Sequence, residues 1–332
     1  MSELGFEWKS SAELERRLAD LLRRERPILV GPWLAEIGPE LLYWIPFLRW
    51  IVERFEVDPS RLTAISRGGV ASWYAGIADG YADIFASIGV DRYRKLNDLR
   101  WAGQSGMKQS RFTYFDRTIL KKTGGWDGRS PVLHPAFMYR FLRRWWKNGL
   151  SLEHVMSHLR LRRFEPPPLP DALRTQLPDE YAVAAFYFRP SFPDTPAHRA
   201  LVRDAIAIVG EQLPVVSLDA EIKADEHESP ELEASERLLT PLAGAPPETN
   251  LALQSAIAAR ARLWIGTYGG RTHIATTYGV PCISFTSDRG SFLASYLDVL
   301  RRFAAVTGAP YTVLETGDLP ALRALARPRA AA

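Results

Sequence analysis

The sequence predicts an α/β protein built on parallel sheets and divided into two domains. Three observations predict it. In the second half, apolar runs of strand length alternate with helix-patterned segments at short spacing, the pattern of a parallel sheet wound on both faces. At 164–173, FEPPPLPDAL places four prolines in five positions, which no helix interior tolerates and which favours an extended linker. The length of 332 residues, 46% apolar and 24% charged, suits a folded chain of two ordinary domains. The boundary is placed at the prolines, giving domains 1–165 and 166–332.

In order along the chain, SSAELERRLADLLRRER (10–26) is amphipathic, with Ser10 or Ser11 as N-cap. PILVGPW (27–33) reads as a short buried strand closed by a Gly-Pro turn. The segment Pro39–Phe55 is apolar nearly all round and predicts a buried helix, with Pro46 kinking it or marking its true start. RLTAIS and ADIFAS read as two further strands. Residues 91–130 have weak periodicity and read as long loops with short helices, and 134–147 as a helix. The second half gives strands at YAVAAFYFR (181–189), PVVSLD (214–219), RLWIGTY, VPCISFTS and YTVLE. Helices lie between them at PAHRALVRDAIAIVGEQL, NLALQSAIAARA, RTHIATTYG and near Ser291–Phe303.

Composition excludes several classes. No uncharged apolar run reaches the ~18 residues needed to span a membrane, and the charged first 26 residues do not read as a signal peptide. One buried cysteine, Cys282, fits a reducing, cytoplasmic compartment. The net charge of +4 is uneven: residues 1–165 carry 27 Lys and Arg against 19 Asp and Glu. That half suits an anionic partner or surface, or simply carries solvated helix faces. The basic residues form no long run and no zinc or RNA-binding motif is present, so no nucleic-acid partner is expected. The helix FMYRFLRRWWKN carries Met138, Phe141, Leu142 and Trp145 on one face. It is either a core helix with snorkelling arginines or a peripheral membrane contact.

In parallel α/β sheets, ligands sit beyond the carboxyl ends of the strands. The residues that stand there are Arg189, Asp219, then Thr267, Tyr268, Gly269, Gly270 and Arg271. Glycines at a helix start let backbone amides approach an anion, and a guanidinium adds a bidentate contact to a diphosphate. Asp219 is placed to accept from a ribose or base. Glycine also permits the same turn with no ligand, and that alternative stands. His273 either backs the diphosphate or is structural, and Asn250 either touches a nucleotide or caps its helix. His134 lines the cleft or caps its helix. DEHE (225–228) reads as a solvated acidic loop rather than a metal site, so no metal is expected. No phosphate loop with lysine and no Asp-x-Asp occurs.

WIGTYGGRTHIATTYGVPCISF (264–285) and FYFRPSFPD resemble the donor-side units of GT-B glycosyltransferases, in the heptosyltransferase-like and fucosyltransferase-like branch. The resemblance covers about residues 181–290. It implies two facing Rossmann-like domains: an N-terminal acceptor-side domain and a C-terminal domain for a nucleotide-sugar, bound as substrate and not as cofactor. It implies transfer of a sugar to a hydroxyl of a glycan or lipid-linked acceptor, in surface-glycan synthesis. A lipid-linked acceptor would bring the protein to the inner face of a membrane. An inverting reaction needs a base, and Glu36 is preferred, ahead of Asp194; Glu40 reads as stabilising a helix start. Two rivals are a sugar-nucleotide epimerase of the same fold and a non-catalytic glycan-assembly subunit.

Overall fold

A computed structural model describes residues 10–23, 25–102, 109–189, 191–219, 222, 238–288 and 294–326. The chain divides into two compact units, 1–161 with 247–251, and 162–246 with 252–332. Both are α/β, and every pairing within the two sheets is parallel.

The first unit holds β1 (Ile28–Val30), β2 (Leu62–Ser66), β3 (Gly80–Asp83) and β4 (Val132–Leu133), in the order β3-β2-β1-β4. The Ser11–Leu22 helix begins where Ser10 accepts a hydrogen bond from the Glu13 amide at 3.1 Å. Its leucines 14, 18 and 22 recur every fourth residue and are buried, each worth about 2 kcal/mol of apolar transfer. The apolar segment expected as one helix runs from Ile37 to Phe55 but contains a wide π turn over Glu40–Trp44. The Ile45 amide reaches back to the Glu40 carbonyl, and Pro46 lies in the first turn of regular helix. Proline has no amide to donate, so the regular hydrogen-bond ladder can begin only around it. Pro46 thus marks the start of the regular part.

Two readings of this unit are corrected. The third strand is Gly80–Asp83, and Ile84–Ser87 within ADIFAS is helical, because the Asp83 carboxylate accepts from the Phe85 amide and caps it. Residues 91–130 contain two full helices, Val90–Ala102 and Tyr114–Thr123. The second is set by a capping box between Thr113 and Asp116. The aromatic-basic helix, Ala136–Trp146, buries Met138, Phe141 and Leu142. Phe141 packs on Phe47 and His158, and Trp145 meets the edge of Tyr43. Its apolar face is spent on the core.

The second unit holds β5 (Ala182–Ala185), β6 (Val215–Ser217), β7 (Leu238–Leu239), β8 (Leu263–Thr267), β9 (Cys282–Thr286) and β10 (Tyr311–Glu315). The sheet order is β10-β9-β8-β5-β6-β7. Numbered within the unit this is 3-2-1-4-5-6, the order of dinucleotide-binding folds. β8 and β9 are buried along their whole length, which requires cover on both faces. The Pro196–Gly210 helix supplies Leu201, Val202, Ala205, Ile208 and Val209 to that core at helical spacing. β7 has no counterpart in the sequence reading. Among the described residues no helix is long and apolar enough to cross a membrane.

Candidate functional site

Strand order decides where a ligand fits. In the second unit the order reverses between β5 and β8, and the crevice opens beyond the carboxyl ends of those two strands. The chain leaving β5 is Phe186-Tyr187-Phe188-Arg189, and the chain leaving β8 is Tyr268-Gly269-Gly270-Arg271. Thr267, the last residue of β8, joins them: its Oγ1 donates to the Tyr187 carbonyl at 2.9 Å and accepts from the Tyr187 amide at 3.1 Å. Thr267 therefore spends its hydroxyl on positioning Tyr187.

Four of the residues singled out in the sequence meet here, with one that was not. A Cβ added at Gly269 would overlap the Tyr187 hydroxyl and stand 3.2 Å from an Arg189 guanidinium nitrogen. Arg271 lies over the Tyr187 ring, 5.7 Å from its centroid. Burial raises the Tyr268 hydroxyl pKa, Tyr187 and Tyr296 reinforce this, and the Arg189 charge opposes it. Arg189 is aimed by two backbone hydrogen bonds exchanged with Phe192, at 2.9 and 3.0 Å. Its Nε is buried and makes no hydrogen bond. A buried charged donor left unpaired is costly, unless a ligand completes it.

The turn itself is held from behind. The Ser284 hydroxyl donates to Tyr311 Oη at 3.1 Å, Tyr311 to Thr272 Oγ1 at 2.8 Å, and Thr272 to the Gly269 carbonyl at 2.7 Å. The amides of Thr272, His273 and Ile274 bond the carbonyls of Gly269, Gly270 and Arg271. The helix they open, Thr272–Tyr278, is only seven residues long. His273 is buried inside that helix.

Gly269→Ala should test the close approach. It is expected to destabilise the protein by about 1–3 kcal/mol, since overpacking forces the Tyr187 ring aside. Tyr187→Phe in the same chain should recover part of the loss. Urea denaturation of the two single variants and the double one measures the coupling, and strictly additive losses would count against the contact.

Other sequence candidates lie elsewhere. Asp219 stands two residues past β6, its amide donating to Ser217 Oγ at 3.2 Å. Asp194 is held by two hydrogen bonds from Arg199, both 2.6 Å. These keep its carboxyl below the usual carboxylate range, the wrong direction for a base. Asn250 opens the Asn250–Ala258 helix, in the segment that groups with the first unit. DEHE lies outside the described residues. Among the described residues no group of three or more His, Cys, Asp or Glu is placed to hold a metal ion.

The first unit carries a second cluster beyond its own strand ends. Glu36 is half-buried at the start of the Ile37 turn and makes no side-chain capping bond. Glu40 is fully buried. Its Oε1 accepts from Ser66 Oγ and Tyr74 Oη, both at 2.6 Å, and its Oε2 has no hydrogen-bond partner. Burial pushes the Glu40 carboxyl up to about 7, against the pull of Arg67 and the two hydroxyl donors, with Asp83 adding to the rise. Arg67 is fixed by bonds to the Trp33 and Ala35 carbonyls. Asp83 accepts from the Gly69 amide and the Tyr81 hydroxyl.

His134 is structural. Its Nδ1 accepts from the Ala136 amide at 3.1 Å, which leaves Nε2 to donate to Asp116 at 2.9 Å. Gln109 ties that carboxylate to the Pro32 carbonyl and the Leu34 amide.

Fold and site together define a two-unit α/β protein with Rossmann strand order and two arginines, Arg189 and Arg271, beyond the carboxyl ends of strands in its second unit. No protein-family model matches the chain, and no curated protein matches it. Among solved structures it is similar to a family 9 glycosyltransferase from Veillonella parvula, at 15% identity over 89% of this chain and 87% of that one, TM-score 0.46. It is similar to the Escherichia coli ADP-heptose LPS heptosyltransferase II, at 11% identity over 91% and 98%, TM-score 0.47. The E. coli heptosyltransferase WaaC, solved with ADP, matches at 12% identity over 87% and 92%, TM-score 0.42.

Proposed function

We propose that the protein is a glycosyltransferase of the GT-B kind, moving a sugar from a nucleotide diphosphate donor to an acceptor hydroxyl. The observation that carries this reading is the buried, unpartnered Nε of Arg189 beside the Gly269 turn. A diphosphate leaving group gains negative charge as the glycosidic bond breaks, so preorganised cations near it stabilise the transition state more than the ground state. Arg189 and Arg271 supply two such cations. Their planar donors match phosphate oxygens, and the reading assigns that neutralisation to them rather than to a metal ion. Tyr187 places one of them: Arg271 lies over its ring, and its hydroxyl closes on the Gly269 turn.

For an inverting reaction the proposed base is Glu40 of the first unit. A base needs a free oxygen as well as a pKa near the working pH; Glu40 Oε2 has no hydrogen-bond partner, and burial brings the carboxyl to about 7. Glu36, preferred on the sequence, is half-buried at the start of the Ile37 turn and is the second candidate. The donor base, the sugar, the acceptor and a role in surface glycans belong to the same proposal.

The test is product analysis with UDP-, GDP-, ADP-, CMP- and dTDP-linked sugars, each with and without a glycan acceptor mixture. Release of free nucleotide that depends on acceptor supports transfer. Conversion of the donor sugar without acceptor would establish the epimerase reading instead. Binding without turnover in any mixture would favour the non-catalytic one.

A further inference from the structure

The two oxygens of the Glu40 carboxyl stand in different surroundings. β2 ends at Ser66, a single turn of helix follows at Val70–Tyr74, and β3 ends at Asp83. β2 and β3 run parallel with Ser66 opposite Asp83. Glu40 Oε1 accepts from two hydroxyls of this region, Ser66 Oγ and Tyr74 Oη, each at 2.6 Å. A carboxylate oxygen offers two lone-pair sites, so Oε1 is full, whereas Oε2 carries no hydrogen bond. The proton of the neutral carboxyl therefore sits on Oε2.

Both donors are themselves held. Ser66 is fully buried as the last residue of β2. Tyr74 is also buried, and burial together with the Glu40 charge keeps its hydroxyl protonated. It thus remains a donor whatever the state of Glu40. The turn that carries Tyr74 is tied to β3 where it begins. Asp83 Oδ2 accepts from the Gly69 amide at 2.7 Å and from Tyr81 Oη at 2.8 Å, and Tyr81 Oη accepts from the Val70 amide at 3.1 Å. The Tyr74 and Tyr81 rings lie 6.4 Å apart. Two charges also act on Glu40: Arg67, next after Ser66, favours the ionised carboxyl, and Asp83 opposes it.

Taking Glu40 as the proposed base, on which this rests, we infer that Tyr74 and Ser66 are its positioning residues: they occupy Oε1 and leave Oε2 as the one oxygen that exchanges a proton. In the transfer, the acceptor O–H bond breaks as its proton passes to Oε2. The acceptor oxygen bonds to the sugar carbon, and the diphosphate leaves with the electron pair of the bond that breaks.

Carbon-13 NMR of the full chain, labelled at glutamate Cδ, follows the Glu40 carboxyl directly; its resonance is the one missing from Glu40→Gln. The parent should titrate at about 7. Tyr74→Phe keeps the ring and removes the donor. Its Glu40 midpoint should move up by about one pH unit, because a hydroxyl donor favours the charged form over the neutral one. Turnover is read with the donor and acceptor pair found by product analysis. At pH 7 Tyr74→Phe should lose about five- to tenfold in kcat with donor KM unchanged, and at pH 9 it should recover most of the loss.

An unmoved midpoint in folded Tyr74→Phe overturns the inference. So does a turnover loss equal at pH 7 and pH 9, the mark of a damaged fold. Should Tyr74→Phe fail to fold, Ser66→Ala decides in the same way: an upward shift of the Glu40 midpoint supports the positioning, and no shift overturns it. Full turnover in Glu40→Gln removes the base and the positioning with it. An inactive Glu40→Gln beside a Tyr74→Phe of parental kcat and midpoint removes the positioning alone.

Discussion

Glu40→Gln is expected to lower turnover by about 10²- to 10⁴-fold, the usual contribution of a general base, and to remove a pH-dependent loss of stability. The second effect follows from burial alone. The Glu40 carboxyl has an ordinary value of 4.5 and ionises at about 7 in the folded chain. Between those values the native state holds a proton that the unfolded chain has released. Stability contributed by the neutral carboxyl is therefore complete below about pH 4.5 and is lost as pH rises towards 7, by on the order of 3 kcal/mol in all. Glutamine does not titrate. The stability of Glu40→Gln relative to the parent should accordingly rise by that amount between pH 4.5 and 8, read by urea denaturation at both ends. Parallel stability profiles would show that Glu40 ionises normally, and full turnover in a folded Glu40→Gln would remove it as the base. In the parent, turnover should rise with pH through about 7 as Glu40 deprotonates.

Arg189→Ala carries the other large effect. A hydrogen bond from a charged donor is worth about 1.5–3 kcal/mol, so nucleotide affinity should fall roughly ten- to 150-fold. Stability should change little or rise, because the variant deletes a buried donor that has no partner. This combination separates a ligand-binding arginine from a structural one: a structural arginine would cost stability when removed. Arg271→Ala should weaken nucleotide binding less than Arg189→Ala does, because the Arg271 cation already has the Tyr187 ring as a partner whereas Arg189 Nε has none.

The strand ends of the second unit were legible because buried parallel strands read as apolar runs, and each run stops where the sheet does. Arg189, Tyr268, Gly269 and Arg271 followed from that alone. Tyr187 was hidden inside the run FYF, where an aromatic reads as core, although Arg271 lies over its ring and its hydroxyl stands against Gly269. The Ser284–Tyr311–Thr272 chain was invisible because its members are 12 to 39 residues apart and only the β9–β10 pairing and the helix start bring them together.

The burial of Glu40 escaped the sequence for a different reason. A carboxylate near a helix start is usually a solvated dipole partner. Its flanks, Pro39 on one side and Leu41-Leu42 on the other, carried the opposite signal, because a segment apolar all round has no wet face to offer. The wide turn at Glu40–Trp44 depends on Pro46, six residues on, and turns that carboxylate into the core. β7, two residues long at the sheet edge, is too short for any periodicity to reveal.

The central claim is that the Arg189 crevice seats a nucleotide diphosphate. Calorimetric titration of UDP, GDP, ADP, CMP and dTDP into the parent chain and into Arg189→Ala tests it most directly. The prediction is saturable binding of at least one diphosphate, at one per chain, weakened tenfold or more in the variant. Absence of binding by every nucleotide, or equal affinity in the two proteins, would contradict it.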